Sequence, residues 1–166
     1  MKPEKDMTVD AGTIDLNLLL PFQIAQLNTR LNAQARAIIA RHGSLTLPQW
    51  RIIRLVGTKV AYTSTSVRKA AGIDKSQFSK TLNKLVEDGF MTQAPFKEDK
   101  RQLKLSLTPK GQAALDGLAP ELDARNQHLL KSLTQNQRSA IFAAIQSLAE
   151  ASKKTDFQSG IEEKSE

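Results

Sequence analysis

Gly72-Ile73-Asp74-Lys75-Ser76-Gln77-Phe78-Ser79-Lys80-Thr81-Leu82 is the stretch whose reading decides the fold. Gly72 suits a helix end, because glycine accepts the left-handed backbone found there. Asp74 can cap the following helix, with Gln77 in the N3 place of a capping box. That helix is expected to run to about Asp88 and stop at Gly89. At about 100° per residue, Phe78, Leu82 and Leu85 share one face and must point to a core. Ser76, Lys80 and Asn83 then point the other way, flanked by Gln77, Ser79 and Lys84. Upstream, Thr63 can cap a shorter helix that ends at Ala71. Two short helices joined by Gly72-Ile73 form a helix-turn-helix.

Downstream of Gly89 the period changes. Phe90–Ala94 and Gln102–Leu107 are strand-like, and Leu103, Leu105 and Leu107 alternate with Gln102, Lys104 and Ser106. Such alternation marks a half-buried strand. Between the strands lies the charged tip Lys97-Glu98-Asp99-Lys100-Arg101. Two helices followed by a β-ribbon give the winged helix-turn-helix layout.

The flanks are helical. Leu16–Arg41 reads as one long helix, with Leu20, Ile24, Leu27, Leu31, Ala35 and Ile38 as its stripe and His42-Gly43 as its stop. It is apolar before any compact unit exists for it to pack on, which suits a partner subunit or the far C-terminus. Thr46–Lys59 reads as a second helix carrying Trp50, Ile53, Leu55 and Val56, and Val60-Ala61-Tyr62 as a short extended stretch. Thr108-Pro109 starts a fifth helix to about Leu133, which Pro120 should kink or split. Thr134 caps a sixth, with Gln137 in the capping-box place and Ile141, Ala144, Ile145 and Leu148 as its stripe.

Charge places the function. The chain has 166 residues, 24 Lys+Arg against 17 Asp+Glu, and a net charge of +7. Residues 46–108 hold twelve Lys+Arg against five Asp+Glu, so they carry the whole excess; residues 1–45 carry +1 and 109–166 carry −1. Surplus gathered in one segment favours an anion-binding module over a generally soluble surface. On the reading helix, Ser76, Gln77, Ser79, Lys80, Asn83 and Lys84 offer donors and cations at a pitch suited to base edges and phosphates. In the tip, Lys97, Lys100 and Arg101 suit the negative potential of a minor groove. Asp99 is placed to orient Arg101 or tie the loop down. Thr65, Arg68 and Lys75 are candidate phosphate contacts.

Several classes fall away. With no Cys, a disulfide scaffold, a thiolate metal site and a cysteine nucleophile are excluded. His42 and His128 have no companion at ligand spacing, so neither a metal nor another cofactor is expected. No nucleophile elbow, phosphate loop or metalloprotease motif occurs, and the chain does not read as an enzyme. No apolar run approaches the roughly 18 residues of a transmembrane span. Residues 1–13 lack a signal-peptide core. A cytoplasmic protein with no membrane partner is expected.

The sequence resembles the MarR (multiple antibiotic resistance regulator) family of transcription factors over about residues 16–150. The resemblance is carried by Leu45-Thr46-Leu47-Pro48-Gln49-Trp50, the run Gly72–Leu82, the turn Glu87-Asp88-Gly89-Phe90, and Asp99-Lys100-Arg101-Gln102-Leu103-Lys104-Leu105-Ser106-Leu107-Thr108-Pro109-Lys110-Gly111. The last fits the family's wing signature in full. The resemblance implies an obligate homodimer built from the first and last helices and bound to a pseudo-palindromic double-stranded DNA operator. It also implies control by a small aromatic or phenolic effector between the dimer helices and the reading head. One departure is Arg68, which stands where the family usually has a small buried alanine; it either snorkels or adds a phosphate contact.

The expected fold is therefore mainly α with a small β-wing. Its parts are a loose N-terminus (1–15), an N-terminal dimerisation helix (16–45), a winged helix-turn-helix DNA-binding domain (46–108), C-terminal dimerisation helices (109–151) and a disordered tail (152–166). The expected function is a homodimeric, sequence-specific DNA-binding transcriptional regulator, a repressor released by a small ligand. The alternative is a winged-helix interaction module whose basic face docks an acidic protein.

Overall fold

The computed structural model describes residue 15 and residues 18–157. The expected loose N-terminus before Asp15, the expected helix start at Leu16 and the tail beyond residue 157 lie outside the described residues. Six helices and two strands follow in the order α1 (Leu20–Arg41), α2 (Leu47–Gly57), α3 (Ser64–Ala71), α4 (Lys75–Glu87), β1 (Met91–Pro95), β2 (Leu103–Leu107), α5 (Pro109–Lys131) and α6 (Gln135–Ala151). The chain divides into two units, the first ending at Leu122 and the second beginning at Asp123.

Local chemistry sets the helix starts of the first unit. Thr46 and Gln49 close a full capping box on α2, and the buried Gln49 side chain is satisfied by the Thr46 N–H at 2.8 Å. Thr63 and Ser66 do the same for α3. On α4 only half of the expected box forms: Asp74 accepts from the Gln77 N–H at 2.9 Å. The Gln77 side chain does not return a bond to the cap, and it stays exposed on the outer face. A charged cap already satisfies the more demanding orphan donor. Gly72 closes α3 with φ +65°, a left-handed backbone that a Cβ would strain.

The wing is antiparallel, with Met91 opposite Leu107 and Pro95 opposite Leu103. Its first strand lies one residue later than the alternation suggests, since Phe90 belongs to the turn after α4. The short extended stretch expected at Val60–Tyr62 leads into a single bridge between Thr63 and Lys104, with Leu105 N–H donating to the Tyr62 carbonyl at 2.8 Å. Leu103 N–H also donates to Ser64 Oγ at 3.2 Å. The wing is thereby fastened to the start of α3.

The core sits beneath α2, α3, α4 and the wing, centred on Ile52, Ile53, Val67, Leu85, Met91 and Leu105. Ala35, Ile38 and Ile39 of α1 and Leu115, Leu118 and Leu122 of α5 belong to the same cluster. The C-terminal end of α1 is pinned to the middle of α5 by Glu121, which accepts from Arg41 and meets His42 Nε2 at 2.5 Å. Those two side chains, His42 foremost, hold Glu121 below the usual carboxylate range. The first part of the α1 stripe is uncovered: Leu20, Ile24 and Leu27 are exposed, as is Phe22, while Leu31 is half-buried.

Pro120 does not split α5, which runs unbroken through it. Pro120 and Asp116, whose carbonyl loses its helical donor, are both exposed, so water can take the missing bond. In the second unit, Thr134 and Gln137 close a full capping box on α6. Helix α6 has no buried residue; Phe142 and Ile145 are 58% and 55% exposed. Among the described residues the fold is mostly helical, with one two-stranded antiparallel sheet.

Candidate nucleic-acid interface

Helix α4 is anchored by Phe78, Leu82 and Leu85, all buried. Every residue singled out on its other side, Ser76, Gln77, Ser79, Lys80, Asn83 and Lys84, is exposed. Two of them have a commitment that sequence does not reveal. Lys84 pairs with Asp88 at 2.8 Å, one turn on, and that carboxylate raises its pKa above the usual lysine value. Its charge is thus drawn to the end of the helix and partly neutralised. Ser79 donates to the Lys75 carbonyl at 3.1 Å, which leaves its oxygen only as an acceptor. Lys80 and Asn83 carry no such bond.

At the wing tip, Lys97, Lys100 and Arg101 are exposed and Asp99 is half-buried. Asp99 ties the loop through the main chain. Its carboxylate accepts from the Arg101 N–H at 3.0 Å and from Gln102 Nε2 at 2.9 Å, while its carbonyl accepts from the Gln102 N–H. Those bonds, the Gln102 one foremost, hold Asp99 below its ordinary range. Arg101 is therefore oriented through its backbone.

Between α3, α4 and the wing lies a cavity of about 510 Å³ that gathers Thr65, Arg68, Lys75, Ser79, Asn83 and Arg101. Three cations from three elements thus converge beside hydroxyl and carboxamide groups. Arg68 is half-buried in this wall. Ser76, Gln77, Lys80 and Lys84 stay outside the cavity on the outer face of α4, and Lys97 and Lys100 at the tip. Ser64 and Gln93 also line it, and sequence reasoning passed over both. The partnership of Ser64 with Leu103 is a contact 39 residues apart, with no local signal.

A second concavity of about 540 Å³ opens between α1, α2 and α3. Asn28, Asn32, Trp50, Arg51 and Arg54 line it. Arg51 donates to Asn32 Oδ1 at 2.9 Å, and the Arg54 guanidinium lies 6.0 Å from the Trp50 ring centroid. Charged and amide groups beside an indole distinguish this wall from plain core. The one hint in sequence was Trp50 followed by arginines one and four residues on. Among the described residues, no three His, Cys, Asp or Glu gather as a metal site. No helix of the described residues is long and apolar enough to cross a membrane.

Comparison with known proteins bears on this geometry. Residues 45–103 match the MarR family model. The chain is 28% identical to the HTH-type transcriptional repressor YetL of Bacillus subtilis over 114 residues, 68% of this chain and 65% of that protein. It spans between about half and two thirds of the length of the curated relatives it matches. A MarR/EmrR family regulator from Acinetobacter superposes with a TM-score of 0.77 at 21% identity, covering 86% of this chain and all of the other. BpsR of Bordetella bronchiseptica, whose DNA binding is regulated by 6-hydroxynicotinic acid, gives 0.59 at 22% identity over 76% and 98% of the two chains. At such identities these two likenesses are of fold.

Proposed function

Because residues 45–103 match the MarR family model, we propose that this chain is a homodimeric, sequence-specific regulator of transcription that binds double-stranded DNA. The observation that carries the reading is the convergence of Arg68, Lys75 and Arg101 from α3, α4 and the wing on one cavity. The outward face of α4 lies beside it. In this reading α4 enters a major groove, where Ser76, Gln77, Lys80 and Asn83 read base edges. Lys97, Lys100 and Arg101 meet the neighbouring minor groove, and Thr65, Arg68 and Lys75 hold phosphates. Asp99 shapes the tip.

The exposed apolar residues of α1 and, separately, of α6 support dimerisation. A two-fold dimer places its half-sites about one helical turn apart, on a pseudo-palindrome. Repression is the proposed outcome, in line with the name of the Bacillus relative. The concavity around Trp50, Arg51 and Arg54 suits a small aromatic or phenolic acid as the releasing effector: the indole offers a flat apolar wall and the arginines a carboxylate partner. Such a regulator acts in the cytoplasm and needs no catalytic group. An acidic protein partner fits less well, because the outward face of α4 carries no aromatic residue and no Arg, the usual anchors of a protein interface.

Selection of genomic fragments bound by the purified chain tests this. The expected result is enrichment of fragments sharing a two-fold sequence with half-sites one turn apart, bound by a dimer. A monomer that enriches no sequence overturns it.

A further inference from the structure

The C-terminal end of α4 exposes three successive carbonyls, and the first residues of α5 cover all three. Lys110 Nζ donates to the Asp88 carbonyl at 2.6 Å. Thr108 Oγ1 donates to the Gly89 carbonyl at 2.6 Å. Thr108 N–H donates to the Phe90 carbonyl at 3.1 Å. The same Lys110 ammonium lies 4.4 Å from the Phe90 ring centroid, over its face. Gly111 N–H donates to Thr108 Oγ1 at 3.1 Å, which fixes the hydroxyl as a relay. Gly111 also admits the close approach, since a Cβ there would stand 2.0 Å from the Phe90 carbonyl oxygen. Lys84 already occupies the Asp88 carboxylate, so Lys110 is the side-chain cation that reaches the Asp88 carbonyl.

We infer that Lys110 is a positioning residue for DNA reading: by binding the Asp88 carbonyl and the Phe90 ring, it sets the direction in which α4 is presented. The inference rests on the DNA-binding reading above. Its force is leverage. Helix α4 has 13 residues, so it is about 20 Å long, and a tilt of about 10° at its C-terminus moves the other end by about 3 Å. Ser76 and Lys80 lie towards that other end. A displacement of that size exceeds what a bidentate base contact tolerates, while a phosphate contact from a long lysine adapts to it. Lys110 therefore governs sequence preference more than general affinity. It also makes the start of α5 the element whose movement re-aims the reading helix.

The test uses the full chain, a fragment recovered by genomic selection and a scrambled duplex of equal length. Lys110→Met keeps an unbranched side chain of similar length and removes the ammonium; Lys110→Arg keeps the cation. Lys110→Met should bind the selected fragment about threefold to thirtyfold more weakly, with binding to the scrambled duplex and the salt slope unchanged. Lys110→Arg should restore the preference. Amide exchange at Asp88–Phe90 should quicken in Lys110→Met, with α2 unaffected. Equal loss on both duplexes, no loss, or a salt slope lower by about one unit, the mark of a direct phosphate contact, would overturn the inference and leave the DNA reading intact. If the unaltered chain prefers no duplex, the DNA reading fails instead. The exchange measurement then decides alone, and unchanged exchange at Asp88–Phe90 overturns the positioning role.

Discussion

Lys80 and Lys84 sit one helical turn apart on the same exposed side of α4, yet they are unequal. Lys84 is tied to Asp88, whereas Lys80 has no such bond. Lys80→Ala and Asn83→Ala should each relax base preference at one position of the operator, at a cost of about 1–3 kcal/mol per lost base contact. Lys84→Ala should change that preference little; a competition assay across single-base operator variants checks all three. Arg68→Ala should weaken binding to every sequence alike and lower the salt slope by about one unit, because it removes one cation of the cavity wall. Glu121 makes a prediction of opposite kind. Its folded pKa is depressed, so its contribution is present above the ordinary carboxylate range and is lost as pH falls through the folded value. Glu121→Gln should lower the unfolding midpoint near neutral pH, and the gap from the unaltered chain should close in acid.

The direction of each α4 side chain was legible from periodicity, because the helical period is a local property. Ion pairs and loop ties were not. Whether Asp88 takes Lys84, or Asp99 takes the Arg101 main chain, depends on rotamers and on a loop conformation that spacing does not encode. Arg68 was legible as a departure but not in its placement, since the cavity wall it joins is completed by Arg101 and Leu103 from the wing.

Elements were legible where caps and stops sit beside a hydrophobic period. Thr63, Gly72, Asp74, Pro109 and Thr134 mark boundaries that the structure reproduces within about a residue or two, the usual spread of such assignments. The exceptions have tertiary causes. The short extended stretch Val60–Tyr62 was legible, but not that Thr63 after it bridges to Lys104 of the wing. Pro120 reads as a breaker in isolation, yet a solvated face lets α5 continue through it. At the junction of α4 and α5, Gly111→Ala should destabilise the fold by about 1–3 kcal/mol. The added methyl meets main chain at Phe90 rather than the end of a flexible side chain. Denaturant unfolding measures that loss directly.

At the scale of the molecule, the net charge of +7 belongs to residues 46–108, and outside that segment α1 and α6 expose large apolar side chains. Under the proposed function, that division gives anion binding to one part and self-association to another. Charged substitutions at Ile24 and Leu27, both exposed on α1, should yield a monomer by sedimentation that keeps its head folded and loses high-affinity operator binding. In the proposed function the gathered charge neutralises DNA phosphates. The most direct measurement of that role is the affinity of the full chain for a fragment recovered by genomic selection, as a function of salt. If each subunit neutralises about four phosphates, the logarithm of the binding constant should fall with the logarithm of salt concentration at a slope of about −7. A flat response on the best fragment would show that the charge of residues 46–108 does not neutralise phosphates.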